Sequence, residues 1–112
     1  MGTAFRRPGQ ADRVLVKRLD EALGRLLDAL RSLDLLDNTI VLFTTDHGNH
    51  FKTRNDEYKR SCHEASIRVP TMLTGPGFNG GGQIRELVSL IDLPPTLLDS
   101  AGIAVPDHMR GQ

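Results

Sequence analysis

Thr39-Ile40-Val41-Leu42-Phe43-Thr44-Thr45-Asp46-His47-Gly48 is the stretch whose reading decides the fold. Its first half is a short apolar, β-branched run, the pattern of a strand buried on both faces in a parallel sheet. Within one residue the character changes to a carboxylate, an imidazole and a glycine. Open α/β sheets bind ligands just outside the carboxyl ends of their strands. Asp46 and His47 fall there, on a turn that Gly48 eases sterically. A hard oxygen beside a borderline nitrogen makes half of a divalent-metal site. The pair also has a plainer reading, an Asp capping the next turn beside a surface His. The position after a buried run is what brings the metal-ligand reading level with it.

Upstream, residues 1–11 carry no periodicity and read as a loose N-terminus. Asp12 is placed to cap a helix in which Leu15, Leu19, Ala22, Leu23, Leu26, Leu27, Leu30 and Leu33 recur at three- and four-residue steps. Lys17, Asp20, Glu21, Asp28 and Arg31 fill the other side. Gly24 inside this helix costs about 1 kcal/mol against alanine, which predicts close packing on the sheet at that point. Residues 35–38 then turn the chain into the strand at 39–45.

Downstream, residues 49–64 form a polar, basic, histidine-bearing loop with neither helical nor strand period. A loop of that length in a small domain is usually functional or disordered. Residues 67–74 read as a second buried strand with Pro70 near its start, and residues 75–82 as a glycine-rich turn. Residues 86–91 read as a third short strand. Asp92 caps a last helix with Pro94 and Pro95 in its first turn, stopped by Gly102. The order is helix, buried central strand, long loop, strand, strand, helix: an α/β fragment within one domain spanning 1–112.

The 112 residues carry 14 Lys and Arg against 14 Asp and Glu, so net charge gives no reason to expect nucleic acid or a membrane surface as partner. With no Trp and one Tyr, base-stacking platforms lack material. A single cysteine excludes an intrachain disulfide. Arg6, Arg7 and Pro8 precede no apolar run, so neither a signal peptide nor a membrane span is expected, and the compartment defaults to the cytoplasm.

Other constellations are thinner. His47 and His50 make an H-x-x-H spacing without the further Cys or His of a zinc site. Cys62 beside His63 and Glu64 has the residue types of an activated thiol, but sequence neighbours rarely face each other, and a structural Cys62 is the simpler reading. Lys52, Arg54, Lys59 and Arg60 are either a solvated basic loop or the cation set for an anionic substrate. Their place just downstream of Asp46 and His47 favours the second. His108 has no evident partner and reads as surface.

Residues 37–48, running Asp37-Asn38-Thr39 through Thr45-Asp46-His47-Gly48, resemble the segment of sulfatases in the alkaline phosphatase superfamily in which D-N-T leads a hydrophobic strand into S/T-D-H/N-G. The resemblance continues in order through Glu64-Ala65-Ser66-Ile67-Arg68-Val69-Pro70, Gly75-Pro76-Gly77 and residues 88–102, and covers nearly the whole chain. It implies a partial alkaline-phosphatase-like α/β/α sandwich and hydrolysis of a sulfate ester. In that family the Asp and the following Asn or His bind metal, which maps to Asp46 and His47. A lysine nine positions before the arginine of R-V-P contacts the sulfate and the leaving oxygen, which maps to Lys59. His63 beside Glu64 falls where relatives carry an aromatic or polar residue, and is taken as a further substrate contact.

The resemblance implies calcium as the metal, with manganese or zinc brought closer by a histidine at position 47. It also implies a formylglycine nucleophile made within a C/S-x-P-S/A-R segment. No such segment occurs here, since Cys62 is followed by His63-Glu64-Ala65. The expectation is therefore a C-terminal portion of a sulfatase domain, inactive alone, whose partner is the missing half and whose substrate is a small-molecule or saccharide sulfate ester. The same superfamily offers a second activity, phosphodiester or phosphonate monoester hydrolysis. A truncated domain without catalysis is the third alternative.

Overall fold

The computed structural model describes residues 9–52 and 55–111. Most of the expected loose N-terminus, residues 1–8, lies outside the described residues. The first helix, α1, spans Gln10–Ser32, so it starts two residues before the expected cap. Gly9 is the N-cap, and Asp12 sits one turn inside, where its carboxylate accepts the Gly9 N–H at 2.8 Å. A carboxylate there still complements the positive end of the helix dipole. At the other end Asp34 takes φ 56°, and the N–H groups of Leu35 and Asp34 return to the carbonyls of Leu30 and Arg31 at 2.9 and 3.2 Å. This pair of bonds satisfies two orphan carbonyls of the last turn, in a place glycine usually fills.

The apolar stripe of α1 is as regular as the sequence implies, but it is largely uncovered. Leu15, Leu19, Leu26 and Leu33 are 62%, 59%, 63% and 66% exposed. The expected close packing at Gly24 is absent, since a Cβ there would meet nothing within 4 Å. α1 packs on the 3-10 turn Leu36–Asn38 that follows it.

The strand expected over 39–45 is confined to β1, Val41–Phe43, and that over 67–74 to β2, Met72–Thr74. The two pair antiparallel in the register Val41 with Thr74, Leu42 with Leu73 and Phe43 with Met72. This corrects the parallel, doubly buried reading: β1 is half-buried, and in β2 only Leu73 is partly covered. The ladder is short for local reasons. Pro70 brings no N–H to extend it, and just beyond it the Thr44 and Thr71 hydroxyls bond each other at 2.9 Å instead. At the far end Gly75, at φ 124°, lies against β1's approach, where a Cβ would strike the Thr39 carbonyl oxygen. Residues 64–67, expected as the end of a loop and the start of a strand, form a single helical turn, α2, Glu64–Ile67.

These elements make up a first compact unit ending at Pro76, and a second begins at Gly77. In the second unit the expected strand over 86–91 does not form. Ser89 instead donates its N–H to the Asp92 carboxylate at 2.8 Å and opens the 3-10 turn Leu90–Asp92. That turn runs directly into α3, Leu93–Ser100, with Asp92 at its N-cap and the prolines in its first turn, as expected. Gly102, at φ 69°, ends α3. Its N–H reaches Asp99 and that of Ile103 reaches Leu98, both at 2.9 Å.

The fold is thus mixed helix and strand with a two-stranded antiparallel sheet. Among the described residues no aliphatic or aromatic hydrocarbon side chain is buried apart from Pro95 in the first turn of α3, and no helix is long and apolar enough to cross a membrane.

Candidate functional site

β1 delivers Thr44 and Thr45 into a bend that carries Asp46 and His47. The bend is held from three sides. The Thr45 hydroxyl donates to the His47 carbonyl at 3.0 Å, the Gly48 N–H donates to the Ser66 carbonyl of α2 at 2.8 Å, and His47 Nδ1 donates to the Gly48 carbonyl at 2.7 Å. Gly48 lies outside the left-handed region, so conformational ease is not its role. A Cβ at Gly48 would collide with the Ala65 carbonyl oxygen, and it is this space that glycine provides.

Because a carbonyl only accepts, the Nδ1 contact fixes the proton of His47 on Nδ1 and leaves the Nε2 lone pair free to accept. Lys59 Nζ lies 3.0 Å from that Nε2, and the Asp46 carboxylate 3.5 Å from it. Nε2 cannot accept from Lys59 and donate to Asp46 at once. The shorter Lys59 contact is the hydrogen bond, and the Asp46 contact is proximity of two acceptors.

Lys59 reaches His47 because the intervening loop closes on itself. The His50 N–H donates to the Tyr58 carbonyl at 2.9 Å. The Asn49 carboxamide turns the chain by accepting the Phe51 N–H at 2.6 Å. Phe51 and Lys52 follow at φ 51° and 58°, a conformation costly for side chains of that size. The Asn55 side chain accepts from Glu57 N–H and donates to the Arg60 carbonyl, both at 2.9 Å. The exit is tied to α2 by the Ser61 and Ser66 hydroxyls, 2.8 Å apart. Lys59 also stands over the Tyr58 ring, 5.7 Å from its centroid, and that ring lies 6.0 Å from the His47 ring. Beside them a cavity of about 280 Å³ is lined by Lys52, Asp56, Glu57, Tyr58, Lys59 and Arg60.

The sequence-derived residues are therefore only partly brought together. Asp46, His47 and Lys59 converge. His63 is the exposed N-cap residue of α2, and its side chain makes no hydrogen bond to the other three. Cys62 is exposed and free, and His108 is exposed. Tyr58 was not singled out in the sequence. Its only signal there was an aromatic residue next to a lysine in a polar loop.

Asp46 and His47 fit part of a divalent-cation site. With Nδ1–H on a backbone carbonyl, His47 holds the tautomer that could ligate a metal through Nε2, the atom that Lys59 Nζ meets here at 3.0 Å beside the Asp46 carboxylate. Two donors are not a full set, and among the described residues no cluster of three or more His, Cys, Asp or Glu forms.

The sulfatase family profile matches residues 14–103 of this chain. The chain belongs to the sulfatase family. Over 92 residues it is 46% identical to arylsulfatase K of Mus musculus and 45% identical to that of Homo sapiens, covering 82% of this chain and 17% of each relative. This sulfatase chain thus spans about a sixth of the length of the curated relatives it matches. Its fold also matches the solved structure of BT4656 in complex with its substrate D-glucosamine-2-N,6-O-disulfate. The TM-score there is 0.66, with 35% identity over 86% of this chain and 20% of that one. The alkaline-phosphatase-like α/β expectation stands on that likeness. The cytoplasmic default does not: the relatives are arylsulfatase K proteins, not cytoplasmic ones. A chain that spans about a sixth of its relatives' length carries no reading of their compartment.

Proposed function

We propose that this chain forms part of a sulfatase catalytic domain and supplies it with a metal-ligand pair, Asp46 and His47, and an anion-binding catalytic lysine, Lys59. The observation that carries the reading is the 3.0 Å approach of Lys59 Nζ to His47 Nε2, twelve positions apart in the sequence. A lysine brought back to the ligand pair in this way can touch the same anion that the pair's metal would hold. Within the site, Lys59 donates to an oxygen of the sulfate ester and stabilises charge that develops on the leaving oxygen. His47, oriented by its Nδ1–H bond to Gly48, presents Nε2, and Asp46 adds a negative oxygen ligand. A divalent ion held there, calcium in the family reading, would withdraw charge from the sulfuryl oxygens. His63, four residues beyond Lys59, is the outer substrate contact in this reading. The nucleophile, a formylglycine in the family, and the remaining metal carboxylates come from a sulfatase segment that this sequence does not contain.

The substrate class is a sulfate ester, and a sulfated saccharide in particular. The cavity beside Lys59 supports this choice. Its aromatic ring, its cations and its carboxylates are the groups that sugars with anionic substituents engage. The test is a titration of the isotope-labelled chain with an aryl sulfate and with D-glucosamine-2-N,6-O-disulfate in the presence of Ca²⁺. NMR signals of His47 and Lys59 should shift together, and the sulfate-ester response should vanish in Lys59→Ala. An aryl phosphodiester run in parallel should perturb them less. A Ca²⁺ addition that leaves His47 and Asp46 unmoved, or a sulfate response indifferent to Lys59→Ala, would overturn the assignment.

A further inference from the structure

We propose that Tyr58 is a positioning residue for this site: its ring holds the Lys59 side chain against His47 Nε2. The inference rests on the reading of Lys59 as the anion contact. Three independent contacts meet at Tyr58. Its carbonyl accepts the N–H of His50 at 2.9 Å, which fixes where the loop returns to the strand end. Its ring lies 6.0 Å from the His47 ring, tilted by 48°, an ordinary separation for interacting aromatic rings. Lys59 Nζ stands 5.7 Å from the centre of the same ring, within the range in which a cation is attracted to the π face.

The need for such a residue follows from the exposure of its neighbours. Lys59 is exposed and carries four rotatable bonds, so one hydrogen bond to His47 leaves it many competing rotamers in water. Among the described residues Lys59 forms no ion pair that would restrict it further, whereas the adjacent Arg60 is tied to Glu57 at 3.2 Å. A ring beneath the side chain restricts it without consuming a donor, so all three N–H groups of Lys59 stay available for His47 and an anion. At an exposed position the ring attraction is worth about a two- to fivefold excess of the docked over the undocked lysine.

The experiment compares the wild-type chain with Tyr58→Leu and Tyr58→Phe by NMR. The probes are NOEs from the Lys59 Hε protons to the position-58 ring and to His47 Hε1, with exchange protection of the His50 amide as a monitor of the loop. The expected result is a Lys59–His47 NOE weakened about two- to fivefold in Tyr58→Leu and retained in Tyr58→Phe, with the His50 amide protected in both. A purely space-filling role predicts instead that leucine retains the contact. Undiminished contact in Tyr58→Leu overturns the proposal, and so does its loss in Tyr58→Phe. Should leucine also release the His50 amide, the wild-type spectrum decides, because absence of the Tyr58 ring–Lys59 Hε NOE refutes the proposal and its presence supports it. Failure of the parent reading looks different: Lys59 would stay docked through Tyr58 yet ignore added sulfate ester.

Discussion

The same substitution, glycine to alanine, should have opposite effects at two positions of this chain. At Gly48 the added methyl would run into the Ala65 carbonyl oxygen and lie 3.0 Å from the Ala65 carbonyl carbon and 3.2 Å from that of Ser66. All three atoms are backbone of the α2 segment, so none can rotate away. The bend must move off α2, at an overpacking cost of about 1–3 kcal/mol. Movement also weakens the 2.8 Å bond from the Gly48 N–H to Ser66, worth about 0.5–1.5 kcal/mol. A local destabilisation of about 2–4 kcal/mol follows from the two together. Native-state hydrogen exchange at the His50 amide should then accelerate by on the order of a hundredfold, and the Lys59–His47 contact should be lost with it. At Gly24 the methyl meets nothing within 4 Å, and α1 gains about 1 kcal/mol of helix propensity, read as stronger 222 nm circular dichroism. Unchanged His50 exchange in Gly48→Ala, or lower helicity in Gly24→Ala, would refute the packing described for these two sites.

Lys59→Met should tighten binding of Mn²⁺ at Asp46 and His47 by about tenfold, because a cation on Nε2 must first displace the Lys59 donor and then sit beside its charge; the readout is paramagnetic broadening of the amides of residues 45–48, and weaker or equal binding would contradict the contact. Asp34→Gly should raise the thermal midpoint of α1 by an amount corresponding to about 0.5–1 kcal/mol, since position 34 is held at φ 56°, and a lowered midpoint would count against the cap. The purified 112-residue chain should not hydrolyse an aryl sulfate above the blank, for want of the formylglycine segment; turnover abolished by Lys59→Ala would show that the chain suffices by itself.

What the sequence disclosed follows from how local each feature is. α1 was legible because its leucine stripe and its boundaries lie within one segment, and only the exact cap was displaced, from Asp12 to Gly9. The strands were overdrawn because a β-branched run states a propensity, whereas ladder length depends on the partner. Here the partner meets Pro70 and a Thr44–Thr71 side-chain bond, so pairing stops after three residues. The supposed strand over 86–91 yielded to a signal that was present and unread: Ser89 and Asp92 have capping-box spacing, and they curl the chain before it can seek a neighbour. In the site, Asp46 and His47 could be read from their place after the apolar run. Lys59 could be read there only as one of four cations in a basic loop, and the resemblance singled it out, because no periodicity reports where a polar loop will return. The fixing bonds, His50 to Tyr58 and Ser61 to Ser66, depend on that return and were invisible beforehand.

The distribution of satisfied and unsatisfied surface explains how an ordered site is presented although the described residues bury no apolar core. Around Asp46, His47 and Lys59, most constraints among the described residues are hydrogen bonds inside residues 44–66, and they reach from the strand end to α2. Each such bond contributes only about 0.5–1.5 kcal/mol, but together they select one loop path among many. The apolar surface is arranged in the opposite way. Leu15, Leu19, Leu26 and Leu33 on α1 share one stripe and remain mostly exposed, and covering each would contribute about 1.5–3 kcal/mol. The geometry of the site is thus encoded in a short polar segment, while the leucine stripe of α1 carries apolar surface that the site does not draw on. Substitutions in residues 44–66 should therefore move the site directly, and polar substitutions at the exposed leucines of the α1 stripe should change stability by no more than about 0.5 kcal/mol and leave the Lys59–His47 contact in place.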